Sequence, residues 1–133
     1  MIVTSEILTA LQTALTTDGT LNALVPADRI GNHLKDDVDF PHILWGLDAV
    51  DGGIKGETSY VFELVLDIWT EYRGEKQVYD ISDALVALLD RNEITIASGK
   101  NSFINFETVQ VDTESDGRTR HGTIVFRLMF TEN

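Results

Sequence analysis

The side chains that could do chemistry in this chain are three histidines (His33, His42 and His121), 22 scattered Asp and Glu, and one short acidic run closed by a glycine. Nucleophilic catalysis needs a serine, threonine or cysteine held against a base. The chain has no cysteine and no G-x-S-x-G elbow. No histidine has a second histidine four residues on, so the H-E-x-x-H zinc arrangement is missing, as are glycine-rich phosphate loops of the P-loop or dinucleotide kind. His42 falls in a strand-like run and His121 follows a turn signal, places where a histidine is ordinarily structural or on the surface. Asp112, Glu114 and Asp116 followed by Gly117 repeat the opening of an EF-hand calcium loop. The twelfth position, however, is Thr123, which has no carboxylate to give, and Arg118 and Arg120 bring positive charge to where a cation would sit. An ordinary hairpin turn is the expectation there. Asp36, Asp37 and Asp39 have no phosphate-binding partner nearby and read as a solvated loop. No catalytic residue, metal ligand or cofactor is expected, and the chain does not read as an enzyme.

What remains are candidate contact residues. Arg118, Arg120 and His121, with Arg127 further on, form the one basic patch of an acidic chain. The patch either balances Glu114 and Asp116 or docks an acidic neighbour. Trp69 fits equally a core or the centre of an interface.

The elements that position these residues follow from periodicity. Val3, Ile7, Ala10, Leu11, Ala14 and Leu15 make one stripe of a first helix, with Thr4 or Ser5 as its cap, and Asp18-Gly19 ends it. A short turn, Thr20 to Leu24, stops at Pro26, and Arg29 to Leu34 reads as a short extended piece. His42 to Leu47 is a strand entered through Phe40-Pro41, and Asp48 to Glu57, with three glycines, is a long mobile hairpin loop. In Thr58 to Thr70, Tyr60, Phe62, Leu64, Leu66 and Ile68 alternate onto one face, leaving Val61, Val65 and Trp69 on the other. Glu75 to Leu89 is a helix, with Val78, Ile81, Leu85, Leu88 and Leu89 on its apolar side. Phe103 to Asp112 is extended but blurred, with Ile104 and Phe106 expected on one side and Val109 and Val111 on the other. After a turn at residues 114–117, Thr119 to Thr131 alternates sharply again. The expected fold is α+β: an antiparallel sheet of about four strands with two main helices packed on one face. The opposite face, with Val61, Val65, Trp69, Val125 and Met129, is half apolar and uncovered, which points to burial against another subunit.

The chain's 133 residues are one domain's worth, 1–133, and 43% of them are hydrophobic. A net charge of −12 works against ordinary binding to nucleic acid or anionic membrane, and no apolar run approaches the roughly 20 residues of a membrane helix. The opening MIVTSEILTA has no basic region followed by an apolar run, so it is not expected to be a secretion signal.

The segments ILTALQTAL, LNALV, RIGNHL, DFPHILWG, YVFELVLDIWTEYRGEKQVYDISDALVALL and SDGRTRHGTIVFRLMF, in that order and spacing, resemble the tail-completion or tail-terminator proteins of long-tailed phages, prophages and gene transfer agents. The resemblance covers Ile7 to Phe130. It implies a non-enzymatic virion protein, assembled in the bacterial cytoplasm. Such a protein forms a ring, usually a hexamer, that caps the tail tube, meets the head-completion or connector protein, and passes DNA only as cargo through its lumen. Val61, Val65, Trp69, Arg118, Arg120 and His121 are then the candidate oligomer or partner interface. A small hydrolase or ligand-binding domain would need a convergent polar pocket, for which the chain offers no constellation. An acidic DNA mimic, inhibitor or adaptor of a phage is the other alternative. It would carry its acids at regular spacing on one exposed face, whereas here they alternate with apolar residues and fill loops.

Overall fold

The computed structural model describes residues 2–51, 59–71 and 74–132. In chain order they form α1 (Thr4–Thr17), α2 (Gly19–Leu24), a 3-10 turn (Ala27–Arg29), β1 (Ile30–Gly31), β2 (His42–Asp51), β3 (Ser59–Thr70), α3 (Lys76–Leu89), β4 (Thr95–Ile96), β5 (Gly99–Thr113) and β6 (Arg120–Glu132). The class is α+β as expected. The sheet has six strands among the described residues rather than four, ordered β1-β2-β3-β6-β5-β4. Of the two additions, β1 falls inside the short extended piece expected over Arg29 to Leu34 and β4 has no counterpart among the expected elements; each is two residues, too short for any alternation to register. β1 runs parallel to β2, and every other pairing is antiparallel. The strand expected to end at Leu47 continues as β2 to Asp51, so residues 48–51 of the loop expected over 48–57 are strand instead; residues 52–57 lie outside the described residues.

β3 and β6 are the spine. Their register runs unbroken from Ser59↔Thr131 to Thr70↔Arg120, so Phe62, Leu64, Leu66 and Ile68 share one face with Ile124, Phe126, Leu128 and Phe130. All eight are buried. α1 lies on that face, since the Trp45 indole Nε1 donates to Gln12 Oε1 at 2.9 Å. So does α3, whose Val78 sits over Gly122 beside Ile68. Burying such side chains contributes about 1.5–3 kcal/mol each, which makes this one layer the main source of stability.

Two local expectations are corrected. Ile104, Phe106, Val109 and Val111 lie on one face, not two: they pair with Leu128, Phe126, Ile124 and Gly122. A register shift between Phe106 and Thr108 inserts one extra residue, and with a side-chain period of two that insertion swaps the faces of everything after it. The start of α1 is not capped by Thr4 or Ser5. Instead the Glu6 carboxylate accepts hydrogen bonds from the backbone N–H and hydroxyl of Ser98 (2.9 and 2.8 Å), tying α1 to the β4–β5 turn. Asp18 ends α1 and caps α2, accepting from Leu21 N–H at 2.9 Å.

The Gly122 position requires the absence of a side chain, because a Cβ there would run into Val78 Cγ1. Gly122→Ala is therefore expected to lower the unfolding free energy by about 1–3 kcal/mol in urea titrations. Gly46→Ala, where a Cβ meets nothing within 4 Å, should leave it unchanged or slightly raised.

Candidate functional site: the open face of the sheet

The face away from the helices is striped by the strand registers. At one end His42, Trp69, His121 and Asp112 stand side by side on β2, β3, β6 and β5. Next come Leu44, Asp67, Thr123 and Gln110, then Gly46, Val65, Val125 and Thr108. A charged stripe follows, in which Arg127 Nε donates to Glu107 Oε1 at 3.1 Å and Nη2 lies 3.9 Å from Glu63. Beyond it Val61, Met129 and Phe103 form a second apolar stripe. Val61, Val65, Trp69, Val125 and Met129, expected on this uncovered face, are all there and only half-buried.

The first stripe is the most organised. The His121 imidazole lies flat on the Trp69 indole, with centroids 3.9 Å apart and planes 4° from parallel. His42 flanks the indole on its other side at 6.4 Å and 24°, and Phe40 packs on His42 at 5.2 Å. His121 Nε2 is 2.7 Å from Asp67 Oδ1, and Nδ1 is 3.8 Å from Glu114. Thr123 Oγ1 donates to the same Asp67 oxygen at 3.4 Å. Burial lowers the His42 pKa below the ordinary histidine value and the Arg29 charge adds to this, while a hydrogen-bond contact with Asp39 O (3.2 Å) works the other way. The lowered pKa favours the neutral imidazole, which suits a ring packed between Phe40 and Trp69.

The basic patch is divided by the fold. Arg118 is exposed in the β5–β6 turn. Arg120 shares the helix-side face with Thr70, and its Nη1 donates to Gly117 O and Arg118 O (3.3 and 3.0 Å), bracing the turn. Of the three, only His121 reaches the open face with Trp69. The acidic run is a hairpin turn: Asp116 accepts from the backbone N–H groups of Arg118 and Thr119 (both 2.8 Å) and from the Thr119 hydroxyl (2.6 Å). The carboxylate that would open toward a cation is turned onto its own loop. Among the described residues no group of three or more His, Asp or Glu is placed to hold a metal. A hollow of about 600 Å³ lies between α1 and β1, but its amides are engaged: Gln12 Nε2 donates to Ile30 O (2.8 Å) and Asn32 Nδ2 to Trp45 O (3.0 Å).

Asp67, in the next stripe but bonded to His121, is the residue that sequence reasoning missed, while His42, read there as a structural or surface histidine in a strand, stands beside Trp69 on β2. Aligning the two alternating strands about their pairing would have set His121 opposite Trp69, and the next open-face pair is Asp67 with Thr123.

The described residues thus form a small α+β domain with one buried sheet face and one striped, half-exposed face. The chain matches the family of Tail completion protein gp17 over residues 9–131 and belongs to that family, so it is a structural tail protein. No curated protein matches it. Among solved structures it is similar to a chain of the "Virion of native gene transfer agent (GTA) particle", with a TM-score of 0.85 and 18% identity over 97% of each chain. At that identity the likeness is one of fold.

The Asp116 contacts make a pH prediction. Hydrogen bonds from the Thr119 hydroxyl, then from the Thr119 and Arg118 backbone, hold its pKa down to about 2 from 3.8. A depressed carboxylate stabilises the fold above its unfolded pKa, and that contribution fades as pH falls through the folded one. The Asp116 carboxyl carbon should titrate by NMR with a midpoint near about 2. Exchange protection of the Arg118 and Thr119 amides should fall over the window from 3.8 to about 2, and Asp116→Ala should lose it at every pH.

Proposed function

We propose that the protein is the terminator of a phage-like tail: a closed ring of about six copies that ends the tail tube and presents it to the head-completion or connector protein. Family membership over residues 9–131 is the observation that carries this reading. The open face supports it physically. Val61, Val65, Trp69, Val125 and Met129 are half-exposed in the single chain, and an apolar sheet face of that kind is normally covered by another chain. A ring needs two different patches on each subunit; the striped face, which includes His121, and the β5–β6 turn with Arg118 are the two that this reading assigns. The protein's place is then the virion tail, after assembly in the bacterial cytoplasm. A net charge of −12 suits a lumen through which DNA passes without adhering.

Light scattering across a concentration series, followed by negative-stain imaging, tests the reading. The expected result is a particle near six times the 14.8 kDa chain, alone or on purified tail tubes. A strict monomer that also fails to bind tubes overturns it. Val65→Glu places a charge in the middle of the open face, and should abolish the ring while leaving the circular dichroism spectrum intact.

A further inference from the structure

We infer that the joint between copies is a knob and a socket: Arg118 of one copy seats on the Trp69–His121–Asp67 end of the open face of the next. This rests on the ring reading above and names the contact that closes it.

The socket has the chemistry of a guanidinium site. Trp69 and His121 form a flush aromatic step, and His42 stands 6.4 Å from the indole on its other side. Carboxylates surround the step. Asp67 directs Oδ1 at His121 and Thr123, while Oδ2 has no hydrogen bond among the described residues. Asp112 is exposed beside His121 in register, and Glu114 approaches from the turn with its side chain 43% exposed. An aromatic ring attracts a cation placed over its open face, and a planar guanidinium can stack there and donate to a carboxylate together, which an ammonium cannot.

The knob is prepared for such a site. Arg118 is exposed, and its guanidinium makes no hydrogen bond or ion pair to a described residue. Its backbone is held on both sides: the N–H donates to Asp116 Oδ1, and the carbonyl accepts from Arg120 Nη1. Gly117 supplies the left-handed φ of +73° that the turn requires. A fixed backbone leaves only the side chain to be ordered on contact.

Placement fits closure. His42, Trp69 and His121 lie at the end of the sheet from which the β5–β6 turn projects, so knob and socket share one height along the strands. In a ring whose axis runs along the strands, copies related by a pure rotation touch at equal heights, whereas a knob and socket at opposite ends would add a rise and give a filament. Copies that each carry −12 repel, and a local pair of opposite sign at the joint offsets that repulsion and fixes the register of the contact.

A charge exchange tests this. In light scattering, Arg118→Glu and Asp67→Lys should each weaken ring formation by about tenfold or more, and the double variant should recover most of the loss. Because Asp67→Lys also removes the His121 partner, a second test avoids it. The natural chain has no cysteine, and Leu44, in register with Asp67, is an exposed open-face residue. Copies carrying both Arg118→Cys and Leu44→Cys should give, on oxidation, a ladder of cross-linked species up to ring size. Each single variant alone should stay uncross-linked. A wild-type ring unaffected by Arg118→Glu, or giving no ladder, overturns the joint and leaves the ring reading standing. Substitutions that spare the ring and abolish tube binding overturn it too, assigning the socket to the tube protein. A wild type that never forms a ring defeats the ring reading itself, and the joint with it.

Discussion

The unbroken pairing of β3 with β6 is the constraint on which the rest of the molecule depends. No bulge interrupts it from Ser59↔Thr131 to Thr70↔Arg120, so one parity governs both strands over their whole paired length. Phe62, Leu64, Leu66 and Ile68 must then face the same way as Ile124, Phe126, Leu128 and Phe130, and the two long helices must come to that side to cover them. The same parity puts Val61, Val65 and Trp69 opposite Met129, Val125 and His121 on the other side, where no helix remains to cover them. A slip of one residue would exchange the faces and expose the whole apolar layer. The buried core and the open contact surface are thus one decision, not two.

How far this is legible before the structure depends on how far the parity survives. β3, β6 and α3 declare themselves through clean periods of two and 3.6, and Trp69, Val61 and Val65 can be set on the uncovered side from the alternation alone. β5 resists because its extra residue between Phe106 and Thr108 has no marker in residue type: Glu107 resembles any other strand acid. β4 resists because two residues carry no period, and β1, equally short, is legible only as part of the extended piece from Arg29 to Leu34. In the candidate site, Arg118, Arg120 and His121 are close in sequence but do different things. Alternation sends Arg120 to the side of Thr70 and His121 to the side of Trp69, while Arg118 stays in the turn. Asp67 was hidden for a simpler reason: its meaning lies across the sheet, 54 residues away.

The energetics of the Trp69–His121–Asp67 group argue that stability is not its main purpose. An aromatic pair contributes about 0.5–1.5 kcal/mol beyond its burial. The His121–Asp67 contact is part-exposed, and contacts of that kind contribute about 0–1 kcal/mol. A valine or threonine at each position would satisfy a solvent-facing sheet as well. What the group provides is order: a half-exposed indole held between His42 and His121 presents a fixed surface, and a fixed surface loses little entropy when something settles on it.

The sheet edges complete the logic. An unprotected edge strand invites open-ended pairing with another chain. Here β1 covers β2 at Ile43 and Leu44, and Asn32 takes the Trp45 carbonyl. On the other side β4 covers Gly99 and Lys100, Arg91 N–H takes the Ile104 carbonyl, and Asp90 takes the Phe106 N–H. Past that point Glu107 and Asp112 place charge along the strand, which discourages pairing in the same way. Along these stretches lateral growth by backbone pairing is blocked or opposed, and in the proposed ring association falls to side chains on the open face and the β5–β6 turn. Side-chain contacts of defined geometry fix an angle between copies, and a fixed angle without a rise closes on itself; that is the difference between a ring and an aggregate.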